Sequence, residues 1–142
     1  MVANITTGRN IYGALAYNQQ KVDRGKGAVL ATSNICEPPD GCFSVAVLAD
    51  ELLGWMPSHI RTEKPVIHIS LNPDPKDRLS DDQFIDIAAE YMEGMGWGGQ
   101  PYVVYKHTDI DRTHIHIVSV QVDSSGRKIG DSRRNESSVA ET

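Results

Sequence analysis

The stretch YKHTDIDRTHIHIVSVQVD, Tyr105 to Asp123, places three of the chain's five histidines within ten residues and sets two of them in an apolar run. Alternate side chains of a strand share a face, so His114 and His116 project together with Val118, while Ile115 and Ile117 fill the opposite side. His107 ends the preceding β-rich run, YVVYKH. With only the short TDID segment between them, the two runs read as a hairpin, and pairing brings His107 across from the other imidazoles.

Three neutral imidazoles on one patch make a facial metal site with open positions. Taken singly, each histidine is better read as a polar residue on a solvated face, or as a core histidine bonded to Asp109 or Asp111. The trio, with carboxylates lying between its members, satisfies both ligand geometry and the need for outer hydrogen-bond partners. Nitrogen donors suit zinc, manganese or iron and disfavour Mg²⁺, without choosing among the first three.

Working outward, KPVIHISLNPDP reads as a strand with Ile67, Ile69 and Leu71 on one face and Val66, His68, Ser70 and Asn72 on the other, closed by Pro73 and Pro75. SDDQFIDIAAEYMEGMGWGG carries a capping-box spacing, Ser80 to Gln83, and an apolar stripe of Phe84, Ile87, Ala88, Tyr91 and Met95. Upstream, NIYGALAYNQQKV predicts a helix over about Ile11 to Val22, capped by Asn10 and ended by Gly25 and Gly27. GAVLATS predicts a strand. The following helix is expected to start near Cys42 or Ser44 and to stop before Pro57.

The expected order is therefore helix, strand, helix, strand, helix, strand, strand. It points to an α+β fold, a mainly antiparallel central sheet with packed helices. A chain of 142 residues suffices for one domain with a sizeable core. That domain is expected over residues 1–130, followed by a polar tail over 131–142. Cys36 and Cys42 flank EPPDG; with no secretory leader they read as reduced thiols in a cytoplasmic protein. No apolar run approaches the roughly 20 residues needed to span a bilayer.

A formal net charge of −5 gives no whole-molecule attraction to phosphate. Binding to nucleic acid would rest on local cations: Lys21, Arg24 and Lys26 after the first helix, and Lys106 and Arg112 beside the histidines, although each taken singly is better read as part of a solvated face. Trp55 and Trp97 are explained by packing at helix ends.

The chain resembles the nuclease domain of the mobilization relaxases, the MobP-type branch of the HUH endonucleases. Three blocks carry the likeness, IYGALAYNQQKV, VIHISLNP and HTDIDRTHIHIVSV, over about Asn10 to Lys128, with His114-Ile115-His116 as the specific element. The resemblance implies a tyrosine nucleophile on the first helix. Tyr17 fits the family pattern better than Tyr12, which is kept in reserve; five residues apart, the two lie about 140° around a helix and do not face one point.

The likeness further implies Mg²⁺ or Mn²⁺ at His107, His114 and His116, with Zn²⁺ as the choice of ligand type alone. It implies DNA contact at the central strand, where His68 and Asn72 are candidates. Asp111 is expected to orient a ligand histidine or to stabilise the turn. The implied activity is nicking of one DNA strand at a transfer origin through a 5′-phosphotyrosyl intermediate, for mobilization or conjugation. Accessory mobilization proteins and a coupling protein are the implied partners, and the domain is expected to be the N-terminal part of a longer protein. A rolling-circle replication initiator of the same group and a non-catalytic DNA-binding accessory module are the competing readings.

Overall fold

The computed structural model describes residues 1–41, 43–108 and 112–130. Asp111 and the expected tail at 131–142 lie outside the described residues. The elements run β1 (Val2–Gly8), α1 (Ile11–Asp23), β2 (Gly27–Ser33), α2 (Val45–Trp55), β3 (Val66–Asn72), α3 (Asp81–Gly94), β4 (Tyr102–His107) and β5 (His114–Val120).

β1 is a correction to the expected order, which began with a helix. Its sequence, VANITTG, puts only Ala3 and Ile5 toward an apolar layer, too little alternation to signal a strand. Pairing supplies what propensity lacks: β1 lies antiparallel to β3 along its whole length, from Val2 opposite Asn72 to Gly8 opposite Val66.

All five strands form one sheet in the order β1-β3-β5-β4-β2, with every neighbouring pair antiparallel. β5 is therefore the middle strand, and all seven of its residues are buried. That position explains why HIHIVSV reads as nearly continuous apolar sequence: both faces are covered.

One face packs on α3. Ile67, Ile69, Leu71, Ile115 and Ile117 meet Phe84, Ala88, Tyr91 and Met92 there. The Ser80–Gln83 capping box forms as expected: Ser80 Oγ accepts from Gln83 N–H at 3.1 Å, and Gln83 Oε1 accepts from Ser80 N–H at 2.8 Å. These bonds satisfy amides that a helix start leaves without partners.

The other face packs on α1 and α2 through Ile11, Leu15, Leu48, Ala49 and Leu52 against Val66, Val103, Tyr105, Val118 and Val120. α2 is capped by Ser44, whose Oγ accepts from Val47 N–H, and ends before Pro57. α1 ends at Arg24 and Gly25, whose φ of +74° favours glycine. This face changes character along the strands. It is aliphatic under α2, and it becomes histidine, asparagine, serine and threonine beyond the α1 contact, because alternation in register brings Asn4, Thr6, His68, Ser70, His114 and His116 to one side. Among the described residues no helix is long and apolar enough to cross a membrane.

Candidate metal and nucleic-acid site

His107 and His114 are direct partners across β4 and β5, and His116 pairs with Tyr105 two positions along. Side chains of opposed antiparallel residues lie on the same face, so the hairpin delivers all three imidazoles to one place. The rings of His107 and His116 stack, with centroids 4.0 Å apart and planes inclined by 20°, while His114 meets His107 at 5.3 Å and His116 at 5.0 Å. One nitrogen of each lies within 4.8 Å of the others, and all three residues are buried. Nitrogens bound to a single ion at about 2.1 Å can be at most about 4.2 Å apart, so only a small closing of the rings is needed.

Each imidazole also has a hydrogen-bond partner on its own terms. His107 Nε2 lies 2.8 Å from Asn18 Oδ1, His116 Nδ1 lies 2.9 Å from His68 Nε2, and His114 Nδ1 lies 3.5 Å from the Arg112 carbonyl. Second partners of this kind fix which nitrogen of a ligand histidine carries the proton. The donor set therefore fits a divalent ion of the imidazole-binding class.

α1 lies over this patch. Ile11, Leu15 and Asn18 are buried and Val22 partly so, a stripe at i, i+4, i+7 and i+11. Tyr17, beside the stripe, brings its ring to His68, His107 and His116 at centroid distances of 5.9, 6.0 and 6.1 Å. Exposure does not separate the two tyrosines, at 47% for Tyr17 and 49% for Tyr12. Contact does: among the described residues, Tyr17 is the tyrosine of α1 whose ring reaches the histidines. One turn on, the Lys21 ammonium stands 5.7 Å from the Tyr17 ring centre.

Two open grooves meet at His116. One, about 340 Å³, is lined by Asn4, Thr6, Tyr17, His68, Ser70 and His116. The other, about 520 Å³, shares Asn4, Ser70 and His116 and continues past Asn72 and Asp74 to Arg112. His68, Asn72 and Arg112 are thus brought beside the histidines. Arg24 and Lys26 are exposed at the end of α1. Lys106 is turned to the opposite face, where its ammonium pairs with Asp81 at 2.8 Å. Sequence reasoning missed Asn4, Thr6 and Asn18. The first two depended on recognising β1, whereas Asn18 had a signal, a polar residue on the apolar stripe of α1.

Burial pushes the His68 imidazole below its ordinary range, so it is held neutral and one of its ring nitrogens accepts. Tyr105, opposite His116, is fully buried with its hydroxyl unpartnered among the described residues, and desolvation raises its pKa far above that of a free phenol.

The model of the relaxase family with a MobA/VirD2-like nuclease domain matches residues 17–142. No curated protein and no solved structure gives a significant match.

Proposed function

Because the chain belongs to the relaxase family, with a MobA/VirD2-like nuclease domain, we propose that it nicks one DNA strand at a transfer origin through covalent attack by Tyr17, in mobilization or conjugative transfer of a mobile element. The observation that carries this reading is the approach of the Tyr17 ring to within about 6 Å of three clustered imidazoles, at the meeting of two open grooves.

In the proposed step the Tyr17 Oη lone pair forms a bond to phosphorus as the phosphorus–O3′ bond breaks. The phenolic proton passes to solvent, and the leaving oxygen takes up a proton to become a 3′-hydroxyl. The ester is retained as a 5′-phosphotyrosyl link, so a later 3′-hydroxyl can reverse the step and reseal the strand. His107, His114 and His116 would hold a divalent ion, Mn²⁺ or Mg²⁺ with Zn²⁺ as the alternative, which would supply charge stabilisation for the phosphate oxygens.

The chain's own residues do the rest. α1 holds the phenol beside the phosphate position. Lys21 adds positive charge there, and Asn4, Thr6, Ser70, Asn72 and Arg112 offer polar and cationic contacts to the strand in the grooves. Arg24 and Lys26 extend the cationic path. Asp111 is kept as a partner for a ligand histidine.

The reading is tested with an end-labelled pool of random-sequence single-stranded DNA. Incubation with Mn²⁺ is expected to release 3′-hydroxyl fragments from a subset of the pool that shares a sequence at the cut, and a chelator is expected to abolish them. Strand binding without any cleavage, with Mn²⁺ shown to be bound, would favour the accessory-module reading instead.

A further inference from the structure

The hydrogen bonds around Asn18 carry an assignment of protons. Asn18 Nδ2 lies 2.8 Å from the Ala14 carbonyl, which only accepts, so the amide nitrogen must be on that side. The amide oxygen then faces His107 Nε2 at 2.8 Å, and this nitrogen must carry the proton. Of the two nitrogens of His107, Nδ1 holds the lone pair.

The second hydrogen on Asn18 Nδ2 points toward His68 Nε2, 3.4 Å away. That contact makes the nitrogen an acceptor, with its one lone pair shared between the Asn18 amide and the group on its other side. His116 Nδ1, 2.9 Å from the same His68 nitrogen, must therefore donate, which leaves the lone pair of His116 on Nε2. His114 reaches the same state independently, since its Nδ1 faces the Arg112 carbonyl.

We propose that Asn18 is a positioning residue for the cation site: one buried amide, anchored on the Ala14 carbonyl, orders the protons of His107 directly and of His116 through His68, so that the ligating nitrogens are Nδ1 of His107 and Nε2 of His114 and His116. The proposal rests on the reading of this face as a cation site. Asn18 is itself fully buried on the helix that carries Tyr17, so the nucleophile and the proton order of the ligands are set by adjacent residues of one rigid element. Without that order, His107 and His116 would each divide between two tautomers, one of which aims an N–H at the ion.

The test is long-range ¹H–¹⁵N correlation NMR of the histidine rings in the metal-free full chain at about pH 8, above the ordinary histidine range. Wild type should show His107 as the Nε2–H tautomer and His68, His114 and His116 as Nδ1–H. In Asn18→Leu, His107 and His116 should become tautomer mixtures, and Mn²⁺ affinity, read from the paramagnetic resonance of unbound Mn²⁺, should fall about 10–100-fold. His68→Leu should disturb His116 while leaving His107 as it was, which a general loosening of the fold would not do. Finding His107 as Nδ1–H or His116 as Nε2–H in wild type that binds Mn²⁺ would overturn the role of Asn18 and leave the cation site standing. Failure of wild type to bind Mn²⁺ would overturn the site reading and this proposal with it.

Discussion

The side-chain oxygen of Asn18 and Nε2 of His107 meet at 2.8 Å although 89 residues separate them in the chain. The contact ties α1 to the end of β4, and so ties the element that presents Tyr17 to the hairpin that presents the imidazoles. A site assembled from two distant segments works as one unit only if such a contact fixes their relative position to within a fraction of an ångström. Both groups are buried, so breaking the contact would leave a polar pair without water to replace it.

The three histidines are not equivalent to the fourth. His114→Ala and His116→Ala remove a proposed ligand, and each should weaken Mn²⁺ binding by more than the ~10–100-fold expected when an outer partner is lost. Calorimetric titration with Mn²⁺ checks this. Equal, modest losses in His68→Leu and in the two alanine variants would contradict the ligand assignment.

Two cations flank the histidines in sequence, but they meet different surroundings. Arg112 lines the groove, whereas Lys106 pairs with Asp81 at the start of α3. Arg112→Ala should weaken single-stranded DNA binding and reduce the slope of log affinity against log salt by about one contact. Lys106→Ala should leave that slope unchanged. Fluorescence anisotropy over a salt series distinguishes the two, and a matching loss in the Lys106 variant would place the strand elsewhere.

Tyr105 buries its hydroxyl without a partner among the described residues. Removing an unsatisfied polar atom while keeping the ring should be neutral or stabilising, within about 1 kcal/mol. Urea unfolding of Tyr105→Phe in the metal-free protein measures this; a loss well beyond that range would mean the hydroxyl has a structural role.

Much of this architecture is legible in the sequence because its signals are local. The HIHIVSV alternation, the Ser80–Gln83 box and the Pro57 stop each act within a few residues, and the structure realises all three. β1 was not legible, because VANITTG becomes a strand by pairing with β3 and not by its own hydrophobic pattern. With β1 went Asn4 and Thr6, the far wall of the groove. The histidine trio was legible because its spacing matches a strand hairpin. The roles of Asn18 and His68 were not, since they follow from which groups meet across three elements. Lys106, grouped with Arg112 beside the histidines in the sequence reading, instead shares a face with Ile115, a direction that strand alternation already contained.

The most direct measurement is mass-spectrometric mapping of a protein–DNA adduct. Wild type, Tyr17→Phe and Tyr12→Phe are incubated with Mn²⁺ and single-stranded DNA, denatured and digested. A nucleotide-modified peptide bearing its phosphate on Tyr17 should appear in wild type and Tyr12→Phe to within about twofold, and fall by at least about 10³-fold in Tyr17→Phe. An adduct of undiminished yield in Tyr17→Phe, or one mapped to Tyr12 in wild type, would contradict the account.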